Sequence, residues 1–265
     1  MNKFGFFIPV LMLLGFMFVS SKFFTAGSSI SPLSLVLIMC AMFAVSFLFR
    51  PKKNQKATPL SDLEEEILGD FAKDAFSDDA QLNARFQSAL KDMSGSMPKS
   101  AYNKLLKLAP ACQGDKEKYA VSMALARVQM ANGKFMDAAR QYTTTLVIHP
   151  TTDIAMKQGG CYQRMGELSK ARSSYTYALD LDEGNLEAHS AIATTYVADR
   201  EYEQALGVAL KVLEKNENHA SSLATTAICY GLLNDPVMSK HYADRAEDNG
   251  YSRKKITETI SALKK

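Results

Sequence analysis

The chain has 265 residues, of which 47% are hydrophobic, with 31 basic against 28 acidic side chains. That is enough for more than one packed unit, and too near neutrality for a protein that holds nucleic acid by bulk charge. Four cysteines, at 40, 112, 161 and 229, form no close C-x-x-C pair, which argues against a zinc or dithiol site; the three outside the apolar N-terminal region are an odd number and fit a reducing compartment.

Charge and hydropathy divide the chain once. Residues 1–56 hold six basic side chains and no acidic one, so a total of +3 leaves the remainder acidic by three. Two apolar runs, at about 4–21 and 31–49, are each close to the roughly 20 residues that cross a hydrocarbon core. They predict a transmembrane helical hairpin. A cleaved signal peptide is the weaker reading of the first run, because a second apolar run follows directly. Arg50, Lys52, Lys53 and Lys56 after the second run, against Lys22 alone between the runs, place both termini in the cytoplasm by the positive-inside rule. The expected location is therefore the inner (plasma) membrane, multi-pass, with the rest of the chain cytoplasmic.

Residues 50–60, with two prolines and a run of charge, read as a basic juxtamembrane linker. Ser61 and Glu64 have the spacing of a capping box, which starts a helix at about Asp62. Residues 79–93, closed by Gly95, and 98–110, opened and closed by proline, give two more helices. Residues 61–118 are thus a helical cap or a degenerate repeat, with Tyr102, Leu105, Leu106 and Pro110 in second-helix places. No stretch alternates as a strand would, and the fold class is all-α.

Sliding the chain against itself exposes a period of 33 to 34 residues. Tyr162, Tyr196 and Tyr230 form one column, Ala138, Ala171 and Ala205 another, and Ala126, Gly159, Ala193 and Ala227 a third. Gly133 and Gly166 precede Phe135 and Leu168, whose column Tyr202 and Pro236 continue. This resembles the tetratricopeptide repeat (TPR), a helix–turn–helix unit with small residues at its eighth and twentieth positions and an aromatic at the eleventh. Four TPR-like repeats are expected over 119–249, beginning at Tyr119, Thr152, Leu186 and Ala220. The chain departs from the pattern in having no tryptophan, and in Ser239 standing in the alanine column. Residues 250–265, with Ile256, Ile260 and Leu263 on one face, read as a C-terminal capping helix. The whole is a hairpin followed by a TPR-type α-solenoid.

No motif carries chemistry. His149, His189, His219 and His241 form no H-E-x-x-H pair and read as scattered surface residues; no metal or cofactor site is expected. Asp180 to Asn185 has Gly184 at the fifth place, where a calcium loop needs a ligand, and Asn185 at the sixth, where it needs a glycine, and Pro98 stands where a phosphate loop needs a glycine. Cys161 and Cys229, at the tenth position of their repeats, are packing residues.

The resemblance implies a non-enzymatic, membrane-anchored scaffold for protein–protein contact that assists assembly of a membrane or envelope complex. Similarity to periplasm-facing cytochrome c maturation proteins with repeats is the alternative. The family's carboxylate clamp does not carry over: Met123, Arg127, Lys157, Glu187 and Ala191 stand at its positions. The resemblance also implies that the first helix of each repeat lines a concave groove. Its expected partner-binding residues are Met123, Arg127, Met130, Met156, Gly160, Gln163, Thr194, Val197 and Ile228. Flexible thioethers over a floor of small residues suit an amphipathic or extended segment of a membrane-associated protein partner, with Arg127 orienting an acidic group.

Overall fold

The computed structural model describes residues 58–264. Among them all regular structure is helical. Helix α1 spans Leu60–Leu68, α2 Ala80–Ser94, α3 Pro98–Leu108, α4 Asp115–Ala131, α5 Phe135–Ile148, α6 Thr152–Arg164 and α7 Leu168–Leu181. Then come α8 Leu186–Ala198, α9 Tyr202–Lys215, α10 Ala220–Leu232, α11 Pro236–Asp248 and α12 Arg253–Leu263.

From α4 to α11 the helices pack as consecutive pairs, each second helix also touching the first helix of the next pair. The turn inside each pair is the same device four times. Gly133, Gly166, Arg200 and Asn234 all take positive φ, between 63° and 76°. The next residue's N–H then reaches back to the carbonyl five residues before it: Lys134 to Gln129, Glu167 to Tyr162, Glu201 to Tyr196 and Asp235 to Tyr230, at 2.8 to 3.0 Å. This closes the exposed carbonyl end of the first helix in the Schellman manner. Glycine supplies the left-handed conformation freely at two of the four places, and Arg200 and Asn234 adopt it at some cost.

The entry to each following pair is a side-chain cap. Thr151 accepts from the Ile154 N–H at 3.4 Å, Asn185 from Ala188 at 2.8 Å, and His219 Nδ1 from Ser222 at 3.3 Å. His219 is therefore not a surface residue. It is buried, and its Nε2 lies 3.0 Å from Glu187 Oε1 on the preceding pair, so the ring ties two pairs together.

The alanine columns are the places of closest helix approach. Ala126, Ala138, Ala171, Ala193, Ala205 and Ala227 are all fully buried. The shortest interaxial distances, toward about 8 Å, need side chains this small at the contact. Gly159 shows the limit, since a Cβ there would fall 2.4 Å from Tyr175 Cε1. Burial also pushes the thiols of Cys112 and Cys161 up to about 11 and of Cys229 up to about 12, as suits inert packing residues.

Two further expectations are corrected. The capping box at Ser61 and Glu64 does not form. α1 begins at Leu60 after Pro59 without a side-chain cap, because Ser61 Oγ donates instead to Asp62 at 3.0 Å and Glu64 accepts from Gln87 on α2 at 2.6 Å. The multi-pass inner-membrane placement with a cytoplasmic repeat domain is overturned by the finding that, among the described residues, no helix is long and apolar enough to cross a membrane. Both expected spans, 4–21 and 31–49, lie outside the described residues, as does most of the linker.

Candidate functional site

The first helices α4, α6, α8 and α10 carry the residues expected to line a groove, and the structure treats them unequally. At the first end, α1 and the turn after it lie against α4. Leu63 and Ile67 join one apolar cluster with Met123, Ala120 and Tyr119, and Met123 is buried there. Arg127 Nε meets Glu66 Oε1 at 3.0 Å, so the acidic group it orients belongs to this chain. Phe71 stacks flat on His149 with ring centroids 4.2 Å apart, edge-on to Tyr119 at 5.1 Å. Lys116 Nζ holds Asp74 at 2.7 Å, which lowers the Asp74 carboxyl below its ordinary value.

At the last end α12 packs on α10 and α11. Val197 and Ile228 are buried in the cluster that includes Ile256, with Ile260 and Leu263 packed against it. A Cβ on Gly231 would fall 2.6 Å from Ile260 Cδ1, so the glycine is the seat of that side chain.

Between the two ends Met130, Met156, Gly160, Gln163 and Thr194 stay half-buried. Met156, Gly160 and Gln163, spaced four and then three residues apart, fall on one face of α6. Met130 Sδ lies 3.1 Å from the buried Cys161 Sγ. A directed hydrogen-bond chain crosses this stretch. Tyr175 OH donates to Gln163 Oε1 at 2.8 Å, Gln163 Nε2 donates to Thr194 Oγ1 at 3.2 Å, and Thr194 donates to the Ala191 carbonyl at 2.7 Å. Burial pushes the Tyr175 hydroxyl up to about 12, so it remains a donor throughout the neutral range.

Sequence reasoning brought these five residues together and missed what surrounds them. The sealing of the first end by residues 60–76 depends on contacts such as Glu66 to Arg127, 61 positions apart, which no local pattern announces. The Tyr175–Gln163–Thr194 chain likewise joins three helices. Among the described residues no group of three or more His, Cys, Asp or Glu could hold a metal ion.

No protein-family model and no curated protein matches the chain. Solved structures do. A tetratricopeptide repeat protein from Parabacteroides merdae is 20% identical with a TM-score of 0.60, covering 69% of this chain and 72% of its own. YrrB, described as a TPR protein with an unusual peptide-binding site, is 14% identical with a TM-score of 0.54, over 72% of this chain and 98% of its own. MamA is 14% identical with a TM-score of 0.53, over 61% and 93%. The chain therefore has the TPR-type fold, an all-α repeat architecture.

Proposed function

We propose that the chain is a non-enzymatic scaffold that captures a segment of a protein partner over Met130, Met156, Gly160, Gln163 and Thr194, and so assists assembly of a larger complex. The observation that carries this reading is the selective cover of the helix face: its two ends are closed by the chain's own helices while the middle stays accessible. Stacked helix pairs offer such a face to extended or helical segments of other proteins. YrrB, with its peptide-binding site on a similar fold, supports the same use. The two methionines add adaptable apolar contact.

A photo-crosslinking residue at Thr194 of the full chain, used in the native cell, tests the reading. One crosslinked species is expected, and it should vanish when Met130 and Met156 are both replaced by glutamate while the helical circular-dichroism signal is retained. Crosslinking that survives the double substitution would remove this face from the function.

A further inference from the structure

Helix α1 and the pair α2–α3 lie side by side, with α1 packed on α2 and α4. Gln87 on α2 donates to Glu64 at 2.6 Å, and Ser94 Oγ to the Thr58 carbonyl at 2.8 Å. Their charges are of opposite sign. Residues 60–79 hold eight acidic side chains against Lys73 alone, and residues 80–110 hold five basic ones against Asp92 alone. Leu63 and Ile67 turn one face of α1 inward, so Asp62, Glu65 and Glu66, at helical spacing, are exposed on the other. Across α2–α3 the Arg85 guanidinium donates to the Lys107 carbonyl at 2.8 Å and Lys104 Nζ to Ser88 Oγ at 2.8 Å, which draws these cations together, with Lys91 exposed further along α2.

Within one copy the two signs do not meet. Among the described residues, the acids of the α1 stretch that find cations, Glu66 and Asp74, take Arg127 and Lys116 on α4. Of the five cations on α2–α3 only Lys104 makes an ion pair, and its partner Asp92 belongs to the same two helices. Helix stability does not account for the charges either. Glu65 and Glu66 sit in the last turn of α1, at the negative end of its dipole, and Lys99 sits in the first turn of α3, at the positive end. Each burdens its own helix. Met97 and Leu106, 50% and 46% exposed, add two large apolar side chains on the basic side.

We infer that a second copy of this chain docks on this end of the stack, about a two-fold axis that sets the acidic face of α1 in each copy against the basic face of α2–α3 in the other. A two-fold interface presents the same surface from both copies, so it must be self-complementary, and adjoining faces of opposite sign meet that condition. Complementary charge steers the encounter and fixes its register, while Met97 and Leu106 supply apolar area that leaves water.

The test uses the full chain, kept in a non-ionic detergent because of its two apolar runs, and reads association by light scattering. One variant carries Asp62→Lys, Glu65→Lys and Asp70→Lys, so that both faces are basic. The other carries Lys91→Glu, Lys99→Glu and Lys107→Glu, so that both are acidic. None of these six side chains forms an ion pair among the described residues, and retained helical circular dichroism checks each fold. The unaltered chain should form pairs at about 0.1 M salt and lose at least about tenfold in association constant at about 1 M, where the screening length drops from about 10 Å to about 3 Å. Either variant alone should stay single, and an equal mixture of the two should form one-to-one pairs. A chain carrying all six substitutions has the net charge of the unaltered one and should pair with itself again. Pairing of the mixture without pairing of the sixfold variant would be bulk attraction between unlike proteins and would overturn the inference. So would association that survives in either threefold variant alone. A chain that stays single at both salt concentrations would overturn it too, leaving the acidic face to a basic stretch elsewhere, in its own chain or in another protein.

Discussion

At its first end the stack of pairs is closed by α1 and the turn after it, through buried aliphatics, two solvent-facing ion pairs and the stack of Phe71 on His149. At its last end one helix, α12, buries Ile256 and seats Ile260 over Gly231, with the Arg253 guanidinium bonded to Asp244 and Glu247 on α11. The first closure joins residues 61 positions apart, whereas the last is made within a few helices of its own sequence. Non-local closure pays loop entropy before its contacts reward it. The difference teaches that both ends of a repeat stack need a cover, and that a cover made of distant residues is the one to open first.

The largest expected effect tests that order. Cys112 lies beside the first pair and Cys229 inside the last, with burial pushing their thiols up to about 11 and about 12 from the ordinary 9.0. A thiol whose folded value is raised adds stability that is complete below the unfolded value and is lost as pH rises through the folded one. Stability should therefore fall between pH 9 and pH 12. Thiolate absorbance read on variants retaining a single cysteine should appear well above pH 9 for both, and earlier at the end that opens first.

Next in size are Ile67 and Ile256, the fully buried isoleucines of the two closures. Ile67→Ala and Ile256→Ala should each cost about 2–5 kcal/mol in denaturant melts, the range for cavities in a packed core. A loss below about 0.5 kcal/mol at Ile67, the scale of an ordinary surface change, would mean that α1 merely rests on α4. The middle of the stack supplies the control. Ala171→Leu and Ala193→Leu overfill the close helix contacts and should cost about 1–3 kcal/mol without touching either end. Unchanged melts for both would break the assigned register of the repeats.

What was legible in the sequence follows from what repeats. Helix positions, the alanine columns and the turns marked by Gly133 and Gly166 recur at fixed intervals, because each pair solves the same local packing problem. The cap series Thr151, Asn185 and His219 recurs as well, at 34 residues, but three different side chains hide it, and His219 reads as a surface histidine until its Ser222 and Glu187 contacts are seen. Arg200 and Asn234 conceal the positive φ of their turns for the same reason. The candidate site was legible as a row of helix positions. Which of those positions α1 and α12 would cover was not, since that cover is made once at each end and has no second copy to compare with it. Ser61 and Glu64 mislead in the opposite sense: their spacing is right for a cap, yet each finds a different partner, Asp62 and Gln87.

The smallest expected effect isolates the polar part of the first closure. Arg127 and Glu66 meet at 3.0 Å with both side chains 36% exposed, so water and salt screen the pair. A double-mutant cycle on Arg127→Met and Glu66→Gln should return a coupling of about 0.2–1 kcal/mol, as exposed ion pairs do. It should shrink further in high salt. The two long side chains also surrender rotamer freedom to hold one geometry, which offsets much of the attraction. A coupling well above that range would mean that the pair is effectively desolvated, and the first closure would then be fastened by charge. A coupling within it leaves the apolar contacts of Leu63 and Ile67 as what holds α1 down. In that case Glu66 can leave Arg127 without uncovering Met123, because the buried aliphatics keep α1 in place.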